Sequence, residues 1–151
     1  MLPLFYHEIY TSAISPHARF PRDRYRLVYE EIQSRTIENL DLHIELRESF
    51  KAHRSDILLV HSEGYTDAFL DGKLTDQEIR RIGFRPWTPE FVERTLTITG
   101  GSIQAMRTAL EGSMVAGNLA GGTHHAFADH GEGFCVFNDL AICARIAQRD
   151  Y

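Results

Sequence analysis

The stretch from Ala120 to Asp139 (AGGTHHAFADHGEGFCVFND) concentrates the side chains able to do chemistry: three histidines, two aspartates and four glycines in twenty residues. Tandem His124 and His125 offer two imidazoles that titrate near neutral pH, and each can move a proton or hold a metal. Neighbouring residues in extended backbone point to opposite sides, so both rings can serve one site only where the loop twists. Gly121 and Gly122 immediately upstream permit such a twist. The bland alternative, a solvated loop with incidental histidines, stays open on these residues alone. Two histidines do not by themselves close a zinc site. Cys135 and Cys143 have a C-x7-C spacing that matches no usual zinc or redox pattern.

The elements around this stretch set where it can sit. Leu2 to Tyr6 reads as a strand, and His17 to Pro21 as a loop. From Arg22 to Asn39 the apolar residues Tyr25, Val28, Tyr29 and Ile32 have helical spacing. Leu40, Leu42, Ile44 and Leu46 alternate with polar residues as in a half-buried strand. Ser55 is a candidate cap for a short helix running to Val60, and Ser62 for another that stops at Gly72. Thr75 and Glu78 have capping-box spacing, with Gly83 as the stop. Thr88-Pro89-Glu90 opens a long helix toward Glu111 and Gly112. Gly100-Gly101 inside it predicts a break or a close packing contact. Ser113 to Leu119 gives a weak strand signal. Asn138 caps an apolar helix from Asp139 to about Gln148. Alternating strands and helices predict an α/β fold, with the histidine stretch as a loop at the C-terminal ends of strands, where such folds place their sites.

The motifs then become specific. Gly-Gly-Thr-His-His-Ala (121–126) followed by Gly-Phe-Cys-Val-Phe-Asn-Asp (133–139) resembles the signature of the histone deacetylase superfamily, which includes acetylpolyamine and acetoin-utilisation deacetylases. His61-Ser62-x-x-Tyr65, Gly100-Gly101-Ser102-Ile103 and Phe20-Pro21-Arg22-Asp23-Arg24-Tyr25 are similar to upstream segments of that family, in the same order. The resemblance covers about Leu2 to Tyr151.

It implies a three-layer parallel sheet with helices on both faces, as in the arginase/deacetylase fold, and zinc-dependent hydrolysis of an acetyl amide. The substrate class is an acetylated protein, acetyl-lysine in histones or elsewhere, or a small acetylated amine. By motif position, His124 is the mainly electrostatic partner of the attacking water and His125 the general base and acid. Gly133 and Phe134 match the pair lining a narrow acyl-lysine tunnel, although Phe134 alone would read as a core aromatic. Gly121, Gly122, Asn138 and Asp139 are expected to support the loop. The family's zinc ligands come from an Asp-x-His on the next strand and a later Asp, and nothing after Asp139 matches them. Asp41-Leu42-His43 has the letters but the wrong order. This chain is therefore expected to contribute no metal ligand and to be the N-terminal part, 1–151, of a single deacetylase domain, cut within it.

The remaining candidates are weaker. His61 reads as a satisfied, partly buried histidine. His7, His17, His43, His53 and His130 have no assigned role. Cys135 reads as a small packed residue, and Glu78, Arg80 and Arg81 as a solvated helix face.

Composition excludes several classes. A net charge of −5 argues against a chain built to grip nucleic acid. The opening MLPLFYHEIY lacks a basic n-region and is not a signal peptide. The run from Ile57 to Val60 is far too short to span a membrane. Reduced thiols fit the cytoplasm, or the nucleus in a eukaryote. A parallel sheet cut partway leaves an uncovered edge, so self-association is expected.

Overall fold

The apolar N-terminal segment becomes the middle of the sheet. The computed structural model describes residues 1–38, 43–85 and 87–151. In it, β1 (Leu2–Tyr6) lies between β2 (Ile44–Glu48) and β3 (Gly117–Asn118), parallel to both. Parallel neighbours need long crossovers, and helices supply them. α1 (Arg24–Glu38) leads toward β2, and α5 (Pro89–Thr108) leads toward β3.

Side chains alternate along a strand. Tyr6 points to one face and stacks on Tyr29 of α1, with ring centroids 4.2 Å apart. Phe5 and its register partner Asn118 point to the other face. There Asn118 Nδ2 donates to the Ile98 carbonyl of α5 at 3.0 Å. Helices thus cover both faces of a parallel sheet, giving the expected three-layer α/β architecture.

Most of the core lies beyond α5 rather than against the sheet. α2 (Arg54–Ile57), α3 (Glu63–Leu70), α4 (Asp76–Ile82) and α6 (Asp139–Asp150) enclose it. Ile57, Phe69, Ile82, Phe91, Phe137 and Ile142 are among its buried residues. A smaller cluster of Ile9, Tyr10, Tyr25, Ile98 and Ala120 fills the space near the strand ends.

The helix ends follow local chemistry in most cases. Ser62 accepts from Tyr65 N, Thr88 accepts from Phe91 N, and Thr75 with Glu78 forms a complete capping box. Gly83 closes α4 with φ +88°, a left-handed position suited to glycine. Ser55 does not cap α2. The helix begins at Arg54, behind His53, and ends at Ile57 rather than Val60. Arg54 is drawn into this turn by its hydrogen bonds to Asp67 and Glu63 of α3, each of 2.7–2.8 Å.

Gly100 and Gly101 leave α5 unbroken and instead admit close neighbours. A Cβ at Gly100 would lie 1.8 Å from the Phe50 carbonyl oxygen, and one at Gly101 2.3 Å from Tyr10 Oη. α5 then ends in a wide π-type turn over Ala109–Ser113, with Gly112 at φ +134°. That turn consumes the start of the strand expected over 113–119, so β3 is Gly117–Asn118, with Leu119 N donating to the Phe5 carbonyl at 2.9 Å. The alternation at Leu40 and Leu42 falls outside the described residues. In α1, Tyr25 is buried, but Val28 is 46% exposed although it shares the apolar stripe.

Candidate active site

The loop that follows β3 is shaped by one buried carboxylate. Gly121 and Gly122, at φ +98° and +72°, reverse the backbone. Asp139, fully buried in the first turn of α6, then accepts from Gly122 N at 2.9 Å, Thr123 N at 2.8 Å and Ser102 Oγ at 2.6 Å. The N-terminal end of a helix favours such a negative charge. The Thr123 hydroxyl lies 2.9 Å from Asp139 Oδ1 and 2.6 Å from the Phe137 carbonyl, and its single hydrogen serves one of them. A Cβ at Gly121 would sit 2.4 Å from Asp139 Oδ2, so only glycine leaves room for the carboxylate. Asn138 caps α6 through Ala141 N at 3.0 Å.

The twisted backbone brings the paired histidines to the same side. Their ring centroids are 4.1 Å apart. His124 Nδ1 lies 2.8 Å from the Gly122 carbonyl oxygen. A hydrogen on Nδ1 donates there, which leaves the Nε2 lone pair as the acceptor in the neutral ring. Gly133 lies flat against His125, where a Cβ would be 3.4 Å from the ring.

His124, His125, Gly133 and Phe134 border one cleft of about 210 Å³, whose inner wall includes Tyr25, Phe84 and Arg94. A second, open hollow on the other side of the histidines is bordered by Phe127 and Glu132. Phe134 is 38% exposed and packs on Phe20 and Phe84, with ring centroids 5.6 and 5.2 Å away. It is thus partly a packing aromatic and partly a wall of the cleft. Its φ of +66° is unusual for an aromatic residue. Its amide donates to the Ile82 carbonyl at 2.8 Å, which pins the turn to the end of α4.

Arg94 escaped the reading of the sequence. It is buried, its Nε donates to the Tyr10 carbonyl at 2.8 Å, and its guanidinium lies over the rings of Phe20, Tyr25 and Phe84. Burial brings its pKa down to about 10, so it remains a cation at neutral pH. The available signal was positional: Phe91, Arg94, Thr95 and Ile98 share one face of α5, so an arginine stands where the pattern asks for an apolar side chain.

Cys135 also lines the cleft, whereas His7 and His130 lie outside it. His7 Nδ1 accepts from Ile9 N in a 3-10 turn, and His130 sits beside Asp129. Both cysteines are free thiols, and burial raises both, Cys143 to about 12. Among the described residues, no three His, Cys, Asp or Glu side chains converge to hold a metal ion. Asp139 is occupied by the loop's own donors, and Asp41 lies outside the described residues. The described residues alone therefore do not assemble a metal site. No helix among the described residues is long and apolar enough to cross a membrane.

The profile of the histone deacetylase domain matches residues 18–151. The chain belongs to the histone deacetylase superfamily. Among relatives, an uncharacterised protein of Picosynechococcus sp. is 39% identical over 97% of this chain and 47% of its own length. Histone deacetylase 2 of Arabidopsis thaliana is 33% identical over 66% of this chain and 27% of its own. The acetoin utilization protein AcuC of Bacillus subtilis is 32% identical over 66% and 28%. The chain thus spans about half the length of the first relative and little over a quarter of the others. Membership in the deacetylase superfamily argues against an unrelated metal-binding protein that merely shares a histidine-rich loop.

Proposed function

We propose that the cleft around His124 and His125 is the proton-handling part of a zinc-dependent deacetylase site, and that residues 1–151 are the N-terminal part of that single domain. The observation that carries this is the pair of imidazoles 4.1 Å apart beside Gly133 and Phe134, in a chain of this superfamily. Hydrolysis of an acetyl amide needs a proton taken from water as its oxygen attacks the carbonyl, and a proton given to the amine nitrogen as the C–N bond breaks. His125 is the base and then the acid. His124, oriented by the Gly122 carbonyl, presents Nε2 to the same water. Phe134 gives an apolar wall to a methylene stem.

Zinc, when bound in the family, polarises the acetyl carbonyl. Its ligands are not assembled by the described residues. The substrate class is an acetylated lysine in histones or other proteins, or a small acetylated amine. A cytoplasmic or nuclear setting agrees with two free thiols. A second reading is an inactive module that works by binding, since among the described residues no metal cluster converges. Self-association through the β3 side fits with Met114 at 86% exposure beside that strand.

The test compares the chain with a longer homologue carrying the same segment. In the homologue, His125→Ala should lower acetate release at least ~10³-fold with zinc still bound. The 151-residue chain should release none. Retained turnover in His125→Ala removes its acid–base role, and an active, zinc-loaded monomer of 151 residues overturns the half-site reading.

A further inference from the structure

Three hydrogen bonds tie the segment His61–Tyr65 to the far limb of the histidine loop. His61 Nε2 accepts from Asn138 N at 2.9 Å, Ser62 N donates to the Ala128 carbonyl at 2.8 Å, and Tyr65 Oη donates to the Val136 carbonyl at 2.8 Å. Asn138 stands where this limb meets α6. Its Nδ2 lies 3.4 Å from the His124 carbonyl and 3.3 Å from that of Ala126. Its backbone, at φ −86° and ψ 86°, belongs to neither helix nor strand. Its N–H therefore has no partner in regular structure and needs an acceptor from elsewhere.

We propose that His61 is a positioning residue for the paired histidines, holding Asn138 and through it the backbone of His124. The proposal rests on the deacetylase reading only in treating His124 and His125 as the reacting groups. An apolar side chain would fill the space between Tyr65 and Phe137 with less desolvation. His61 is only 3% exposed, and its Nδ1 lies near the backbone of Phe127 and Ala128 without a well-formed hydrogen bond. A buried polar ring with one unsatisfied atom calls for a reason. The acceptor role of Nε2 supplies it.

That role requires the neutral ring with its hydrogen on Nδ1. Burial holds the pKa of His61 below the ordinary histidine value, which favours that form. Protonation would set an N–H against the Asn138 N–H. The groups packed on the ring are Tyr65, Phe137 and the backbone of Phe127 and Ala128. Of these only Tyr65 titrates, and burial pushes its pKa up, away from neutrality. None of them is a carboxylate that could stabilise an imidazolium. A histidine depressed in this way contributes stability above its unfolded pKa of about 6.5, and that contribution falls away as the pH drops toward the folded value.

The test is residue-resolved hydrogen exchange on the whole chain, which needs no turnover, so failure of the deacetylase reading leaves it interpretable. His61→Phe keeps a ring and removes the acceptor. His61→Gln keeps an acceptor near the place of Nε2 and cannot titrate. In His61→Phe, the amides of Gly122, Thr123 and Asn138 should exchange at least about tenfold faster relative to those of Ile98–Ile103. His61→Gln should stay within about threefold of the parent. Lowering the pH from about 7 to about 5 should loosen the same amides in the parent, after correction for intrinsic rates, and not in His61→Gln. Unchanged protection or uniform loosening in His61→Phe overturns the proposal. So does a His61→Gln chain as loose as His61→Phe, or one that keeps the acid response. If His61→Phe does not fold, the pH comparison of parent with His61→Gln decides alone.

Discussion

The loop from Ala120 to Asn138 contains no strand or helix, whereas α1 is a regular helix of 15 residues, yet the loop is the more firmly held of the two. The loop is fixed by side chains reaching in from Ser102, His61, Tyr65 and Asp139. α1 rests mainly on Tyr25 and Tyr29, with Leu27 55% exposed. Its ion pairs, Arg26 with Glu30 and Arg35 with Glu31, are in water and screened. Regular backbone satisfies its own hydrogen bonds and so needs little from its neighbours. Irregular backbone must find partners elsewhere, and finding them is what makes a loop rigid enough to aim two imidazoles.

The largest effect should come from Asp139→Ala. It removes the shared acceptor of the part-buried N–H groups of Gly122 and Thr123 and of the Ser102 hydroxyl. With about 1–3 kcal/mol for each orphaned group, a loss of about 4 kcal/mol is expected in urea unfolding. A loss under about 1 kcal/mol would erase the contrast with α1. Gly100→Ala should follow at about 3 kcal/mol, because the new Cβ meets the Phe50 carbonyl and the backbone must give way. A neutral result would mean that α5 and the chain after β2 are free to separate. The smallest effect belongs to α1. Leu27→Ser should change unfolding free energy by less than about 0.5 kcal/mol. A larger loss would show that this exposed face is covered in solution, and size-exclusion chromatography of the variant would reveal whether a second copy covers it.

The parts legible in the sequence were those whose physics is local. Thr75 with Glu78, Thr88 with Pro89, and Asn138 each satisfy donors within one helical turn, so their spacing alone places a helix start. Ser55 misled because the start of α2 is set by Arg54 reaching Asp67 in another helix. The tandem histidines and the two glycines before them were visible as residue types. Asp139 was expected to support the loop through the family motif, but the donors it takes were not legible, and His61 was read without a role there: both act across the fold, on partners chosen by packing. Arg94 stayed hidden for the same reason, since its role depends on three aromatic rings from separate segments. The apolar stripe of α1 promised a buried face, but a stripe says nothing of whether a partner surface extends far enough to cover it.

The central place of β1 in the sheet has a consequence for how the protein is made. Leu4 takes its partner from Gly117 and Phe5 from Asn118, so β1 leaves the ribosome long before one of its two neighbours exists. Through that interval a short apolar strand has one side open, and its early companion among the described residues is β2. Pairing between such distant segments is slow to form. A nascent chain of this protein should therefore be held by a chaperone, or remain collapsed without its sheet, until translation has passed β3 and the histidine loop can close against α6.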